Sequence, residues 1–94
     1  MSIKDDIVKT VNVVAGHSCI PATRIMGKRR TKTIAHMRQI VYYLLHEQGY
    51  SYNSIGKHLG KDHATIMHGA KKIAEGRKIS SVMNTFLKQL EKDL

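Results

Sequence analysis

Apolar residues return along this chain at three- and four-residue intervals, the helical period, and no strand can be read. Ile3, Ile7, Val8, Val11, Val14 and Ala15 mark one face of a first helix over about residues 3–15, which Gly16-His17-Ser18 ends. Ile20-Pro21-Ala22 starts a short second helix with Pro21 at its first position, where a missing N–H costs nothing. Gly27 then leads into a basic loop, Lys28-Arg29-Arg30-Thr31-Lys32. A third helix over about residues 32–48 carries Ile34, Met37, Val41, Leu44 and Leu45 on one stripe and stops at Gly49. Ser51 caps a short fourth helix with Tyr52, Ile55 and Leu59 inward, and Gly60 makes a tight turn. Asp62 caps a fifth helix whose Ile66, Ala70 and Ile73 face the core, and Gly76 closes it. Ser80 or Ser81 opens the last helix, burying Val82, Phe86, Leu87, Leu90 and Leu94.

Helices shorter than about 12–15 residues are marginal in water, so these segments must share one core. No repeat, low-complexity tract or long linker interrupts them. The expected fold is all-α: a compact cluster of about six helices forming a single domain over residues 1–94.

Charge narrows the function. Sixteen Lys and Arg against seven Asp and Glu give a net +9, an excess that calls for a polyanionic partner. Between Ile7 and His46 there is no acidic residue, while Lys9, Arg24, Lys28, Arg29, Arg30, Lys32 and Arg38 all fall there. No run of about 18 apolar residues occurs, so no membrane partner is expected. The N-terminus lacks the features of a secretory signal, and the single Cys19 has no internal disulfide partner. Both point to a reducing cytoplasm, with Cys19 a free structural thiol.

Residues 51–75 hold the chemistry. A two-turn helix, a glycine-centred turn and a second amphipathic helix form the helix-turn-helix pattern, whose second helix enters the major groove of DNA. The candidate reading edge is Lys61, Asp62, His63, Ala64 and Thr65, followed by His68, Lys71 and Lys72. Asp accepts from a cytosine amino group, His and Thr donate or accept, and Ala or the Thr methyl packs on a thymine methyl. Asp62 is open to two readings, helix cap or base contact.

The run from Leu59 to His68 (Leu-Gly-Lys-Asp-His-Ala-Thr-Ile-Met-His), with Lys72-Ile73, resembles the C-terminal DNA-binding domain of the bacterial replication initiator DnaA. That signature has a Gly-Arg-Asp-His-Thr-Thr-Val core, then His and a Lys-Ile pair. Lys28-Arg29-Arg30, Ala35 to Gln39, Tyr43-Leu44 and the segment from Ser51 to Gly56 resemble the same domain, in the same order, so the likeness covers about residues 7–90. It implies a Trp-repressor-like shape. It implies that Lys61, Asp62, His63, Ala64, Thr65 and His68 meet the major groove, and that Arg30 and Lys32 reach the adjacent minor groove. Lys28, Arg29, Arg38, Ser51, Lys71 and Lys72 would then contact phosphates, which position without specifying. The implied partner is double-stranded DNA, read by one copy of the chain, in replication initiation or its regulation in the cytoplasm and nucleoid of a bacterium or phage. Replication proteins are a second implied class of partner.

Three departures stand out. Ala64 replaces a threonine, Lys61 replaces an arginine and so keeps charge but not bidentate geometry, and His36-Met37 replaces an Arg-Pro pair. No Gly-x-x-x-x-Gly-Lys-Ser/Thr loop occurs, so neither nucleotide binding nor any cofactor is expected. Met1 directly before the first helix favours a free-standing relative over an excised domain.

Other chemistries fit less well. His63 and His68 are five apart and point to different faces of a helix, so no metal site is expected. Asp62 and His63 are adjacent and cannot serve a nucleophile as a triad would, and Glu47 and Glu75 are scattered, so the chain is not expected to be an enzyme. The five methionines read as core filler, and Tyr42, Tyr43, Tyr50 and Tyr52 read as packing around one helix junction. One Phe and no Trp offer no stacking platform for single-stranded RNA. The remaining rivals are a transcriptional regulator with another DNA target, or a protein-interaction module presenting Met83 or Leu87 of the last helix.

Overall fold

A computed structural model of the chain describes residues 2–28 and 31–94. Among these, six helices follow in order: α1 (Ile3–Ser18), α2 (Ala22–Ile25), α3 (Lys32–Glu47), α4 (Tyr52–Leu59), α5 (His63–Ile79) and α6 (Ser81–Lys92), with no strand between them. Hydroxyl caps set the first turn of four: Ser2, Thr31, Ser51 and Ser80 accept from the amides of Asp5, Ile34, Ser54 and Met83 at 3.1–3.3 Å. Each places the start of a helix one residue after a polar side chain that would otherwise compete for the backbone.

The core gathers around α3, which packs against α1, α2, α4 and, most extensively, α5. Val14, Ile25, Ile40, Val41, Leu45, Ile55, Ile66, Leu87 and Leu90 are wholly buried, drawn from every helix. Gly69 lies where α3 and α5 approach closely. A Cβ there would sit 3.0 Å from both Gln39 Cγ and Tyr42 Cδ2, tighter than ordinary contact, so those side chains would have to give way by a few tenths of an ångström. Thr10, the one buried polar residue among the described residues, accepts a hydrogen bond from Gln48 Nε2 at 2.9 Å.

Several expectations from the pattern change. α1 runs through Gly16 and His17 to Ser18 and ends at Cys19, whose φ of 59° is left-handed. The stop is dictated from ahead: Ile20 precedes Pro21 and is steered away from the helical region, while Ser18 Oγ accepts from the Ile20 amide at 3.3 Å. Pro21 stands just before α2, as its cap. α5 continues through Gly76 to Ile79, because one helical glycine costs at most about 1 kcal/mol and Arg77 ties the following turn to its neighbours. Val8 and Val82 point outward, 61% and 79% exposed, and Ile79 is 88% exposed. Leu87, by contrast, is wholly buried and Met83 partly so, and the outward apolar residues at this end are Ile79 and Val82. Ile40 and Tyr42 join the core stripe of α3, while Met37 is only half-buried.

A polar network closes the end of the molecule opposite the start of α5. Arg77 forks onto both oxygens of Glu91 at 2.6 and 2.8 Å, donates to Asn84 Oδ1 at 2.7 Å and to the Tyr43 hydroxyl at 3.0 Å, and lies 4.0 Å from Glu47. The fork matches guanidinium to carboxylate geometry and joins α3, α5 and α6 at one point. At α1, His17 Nε2 meets Asp93 Oδ2 at 2.6 Å, and Tyr50 donates to Asp6. Tyr52 stacks on His46 with ring centroids 4.0 Å apart. No helix of the described residues is long and apolar enough to cross a membrane.

Candidate nucleic-acid interface

α4, the turn and α5 form the helix-turn-helix. Gly60 takes a left-handed conformation (φ 67°) and the Lys61 amide donates to the Gly56 carbonyl at 2.9 Å, closing the end of α4. The chain at Lys61 to His63 then passes so close to Gly56 that a Cβ there would lie 2.6 Å from the Lys61 carbonyl oxygen. Two glycines therefore set the angle at which α5 leaves the turn.

The burial pattern of α5 separates its faces. Ile66, Gly69, Ala70 and Ile73 are buried, while Lys61, Asp62, His63, Thr65, His68, Lys71 and Lys72 are exposed and Ala64 is half-buried. Asp62 sits at the cap position by backbone, yet its side chain makes no cap hydrogen bond. Instead its carboxylate lies 3.3 Å from His63 Nδ1, both groups well exposed. The expected cap role is thus absent, and the Asp62–His63 pair faces outward at the first turn of α5. Ser51, in contrast, uses its Oγ at the start of α4, accepting from the Ser54 amide and donating to the Ser54 hydroxyl at 3.0 Å.

α3 begins at Lys32, after its cap Thr31. Lys28 and Lys32 are exposed, and Arg29 and Arg30 lie outside the described residues. Arg38 is half-buried and turned inward: its Nε donates to the Ile25 carbonyl at 2.9 Å and its Nη2 to the Gly27 carbonyl at 2.6 Å. This guanidinium therefore holds the segment from which the loop departs, a task the sequence pattern does not reveal.

The tertiary structure also brings Lys32 and Lys72 to one place. With His36 and Gln39 they line an open cleft of about 600 Å³ between the first turns of α3 and the middle of α5. Burial, and then the ammonium of Lys72, hold the His36 imidazole below its ordinary pKa. Sequence reasoning does not single out His36 or Gln39 as contact residues. Its one signal is that His36 follows Lys32 by four residues, one turn along the same helix face.

A family model described as the bacterial DnaA protein helix-turn-helix matches residues 6–73. Chromosomal replication initiator protein DnaA of Deinococcus deserti is 31% identical over 74 residues, covering 78% of this chain and 16% of the relative. The protein of the same name from Aliarcobacter butzleri is 43% identical over 67 residues, 69% of this chain and 15% of the relative. That from Thermoanaerobacter sp. is 38% identical over 67 residues, 70% and 15%. The chain thus spans about one-sixth of the length of these curated relatives.

Proposed function

From the bacterial DnaA helix-turn-helix family, to which this chain belongs, and from the outward face of α5, we propose that it binds double-stranded DNA sequence-specifically and acts in replication initiation or its regulation. α5 enters the major groove with Lys61, Asp62, His63, Ala64, Thr65 and His68 toward the base edges. The loop over residues 28–32 reaches the adjacent minor groove through Arg30 and Lys32, where a narrow A·T-rich groove concentrates negative potential. Lys28, Arg29, Ser51, Lys71 and Lys72 meet phosphates, and Arg38 contributes chiefly by holding the loop's root. One copy binds per site.

The observation that supports this best is the first turn of α5. Asp62, His63, Thr65 and His68 are all exposed, and Asp62 does not cap its own helix. A carboxylate without that structural task, beside an imidazole, with Lys61 before it and Lys71 and Lys72 farther along the same helix, suits a surface that reads base edges between phosphates.

Fluorescence anisotropy tests it with a labelled duplex carrying a DnaA-box sequence and a scrambled duplex, each at two salt concentrations. Tenfold or greater preference for the box is expected, with a log K against log salt slope of about −5 to −7 for roughly 5–8 phosphates. Equal, salt-sensitive binding to both duplexes would leave DNA binding standing and overturn the box assignment. Binding to neither would overturn the function.

A further inference from the structure

The cleft between α3 and α5 lies on the same side of the molecule as the reading helix, because Lys72 is on the exposed face of α5 that also carries Thr65 and His68. Lys32, His36 and Lys72 line it, Gln39 adds an amide, and no carboxylate is among its described lining residues. Two ammonium groups and an imidazole around an open space with no carboxylate among its described lining residues give the cleft a positive lining. A phosphate group is the ligand that such an arrangement fits: anionic, small, and rich in hydrogen-bond acceptors.

We propose that this cleft takes one backbone phosphate of the bound duplex and that His36 joins Lys72 as a ligand by taking up a proton, which couples DNA affinity to pH; Lys32 keeps its role toward the minor groove. This rests on the duplex-binding function above and adds a contact residue to it. Among the described residues, the charged groups that line the cleft with His36 are Lys72 of α5, whose ammonium acts on the imidazole, and Lys32 of its own helix, while α1, α2 and α4 contribute none to the cleft. Arg38, two residues on, is turned to the carbonyls of Ile25 and Gly27. Partial burial, and then the Lys72 ammonium, oppose a charge on the imidazole and hold it below its ordinary pKa. An incoming phosphate reverses the local field and offers an acceptor, which favours the imidazolium. Binding then takes up a proton, and affinity falls as pH rises between the free and bound titration midpoints.

The test follows the His36 imidazole by NMR in the whole chain, alone and with the duplex, alongside anisotropy at about pH 5.5 and about pH 8. The expected result is a His36 midpoint that rises by about one unit or more on adding duplex, a tenfold or greater gain in proton affinity. His63 and His68 also lie on the reading face, so the parent is compared with His36→Gln and His36→Arg. His36→Gln should lose about tenfold of the parent's pH dependence, and His36→Arg should bind at about pH 8 roughly tenfold tighter than the parent. A His36 midpoint unmoved by duplex, or a His36→Gln protein with the parent's pH profile, would overturn the inference while leaving duplex binding intact. A parent that binds no duplex at either pH overturns both. Millimolar inorganic phosphate moving the midpoint as far as duplex does would make free phosphate the ligand and overturn the DNA assignment.

Discussion

Gly56 and Lys61 are locked face to face across the turn: the Lys61 amide donates to the Gly56 carbonyl at 2.9 Å, and a Cβ on Gly56 would meet the Lys61 carbonyl oxygen at 2.6 Å. The atom in the way belongs to the backbone and cannot rotate aside. Gly56→Ala should therefore destabilise the chain by about 1–3 kcal/mol and weaken duplex binding by tilting α5. Gly16→Ala offers the contrast. Its Cβ would meet nothing within 4 Å, and in a helix the change should stabilise by about 0.5–1 kcal/mol. Denaturant unfolding of both variants checks the pair, and equal effects would refute the close-approach role.

Asp62 and Ser51 occupy equivalent positions before α5 and α4 but do different things. Ser51→Ala removes a cap and should cost about 1 kcal/mol. Asp62→Ala removes no cap bond, so stability should change by less than about 0.5 kcal/mol. Discrimination between box and scrambled duplex should instead fall by about 1–3 kcal/mol for each base that the carboxylate no longer reads. Thermal melting and anisotropy on the same preparations separate the two effects.

Arg38 bridges two carbonyls, which the point charge of a lysine reproduces poorly. Arg38→Lys and Arg38→Met should both loosen the chain after Ile25, at about 1–2 kcal/mol of stability. Limited proteolysis should cut these variants faster between α2 and α3. Preference for A·T-rich over G·C-rich flanks should decline with it. Unchanged cleavage would mean that the loop holds its shape without the guanidinium.

The two glutamates around Arg77 should respond to pH in opposite ways. Hydrogen bonds from Arg77 hold the Glu91 carboxyl below its usual range. Its contribution is therefore present above the ordinary carboxylate pKa and is lost as pH falls through the lowered one. Glu91→Gln should cost about 1–2 kcal/mol at neutral pH and progressively less in acid. Burial pushes Glu47 up, so its ionised form opposes folding above the raised pKa. Glu47→Gln should be neutral or slightly stabilising at neutral pH, with that gain gone in acid. Denaturant midpoints from acid to neutral pH distinguish the two profiles.

Lys71 and His63 should divide along phosphate and base lines. Lys71→Ala is expected to weaken all duplexes alike and reduce the salt slope by about 1, whereas His63→Ala should relax preference at one position by about 1–3 kcal/mol. Titrations over a set of single-base variants of the target would show which change is uniform.

Local chemistry made much of this molecule legible in its sequence. Hydroxyl caps at Ser51 and Ser80, the glycine turn at Gly60 and the spacing of Ile66, Ala70 and Ile73 each act within a turn or two of chain, so composition and period suffice to place five of the helix starts and the exposed edge of α5. The same reasoning ends α1 and α5 at glycines, because a glycine weakens a helix without deciding whether tertiary contacts carry it onward. Only the packed structure decided that Arg77 would hold the last turn of α5 against Glu91 and Tyr43, that Val82 would face solvent, and that Arg38 would turn inward to the Gly27 carbonyl. The meeting of Lys32 and His36 with Lys72 belongs to the same class. It depends on how closely two helices distant in sequence approach, which Gly69 eases through the atom it lacks, and no periodicity along either helix encodes that separation.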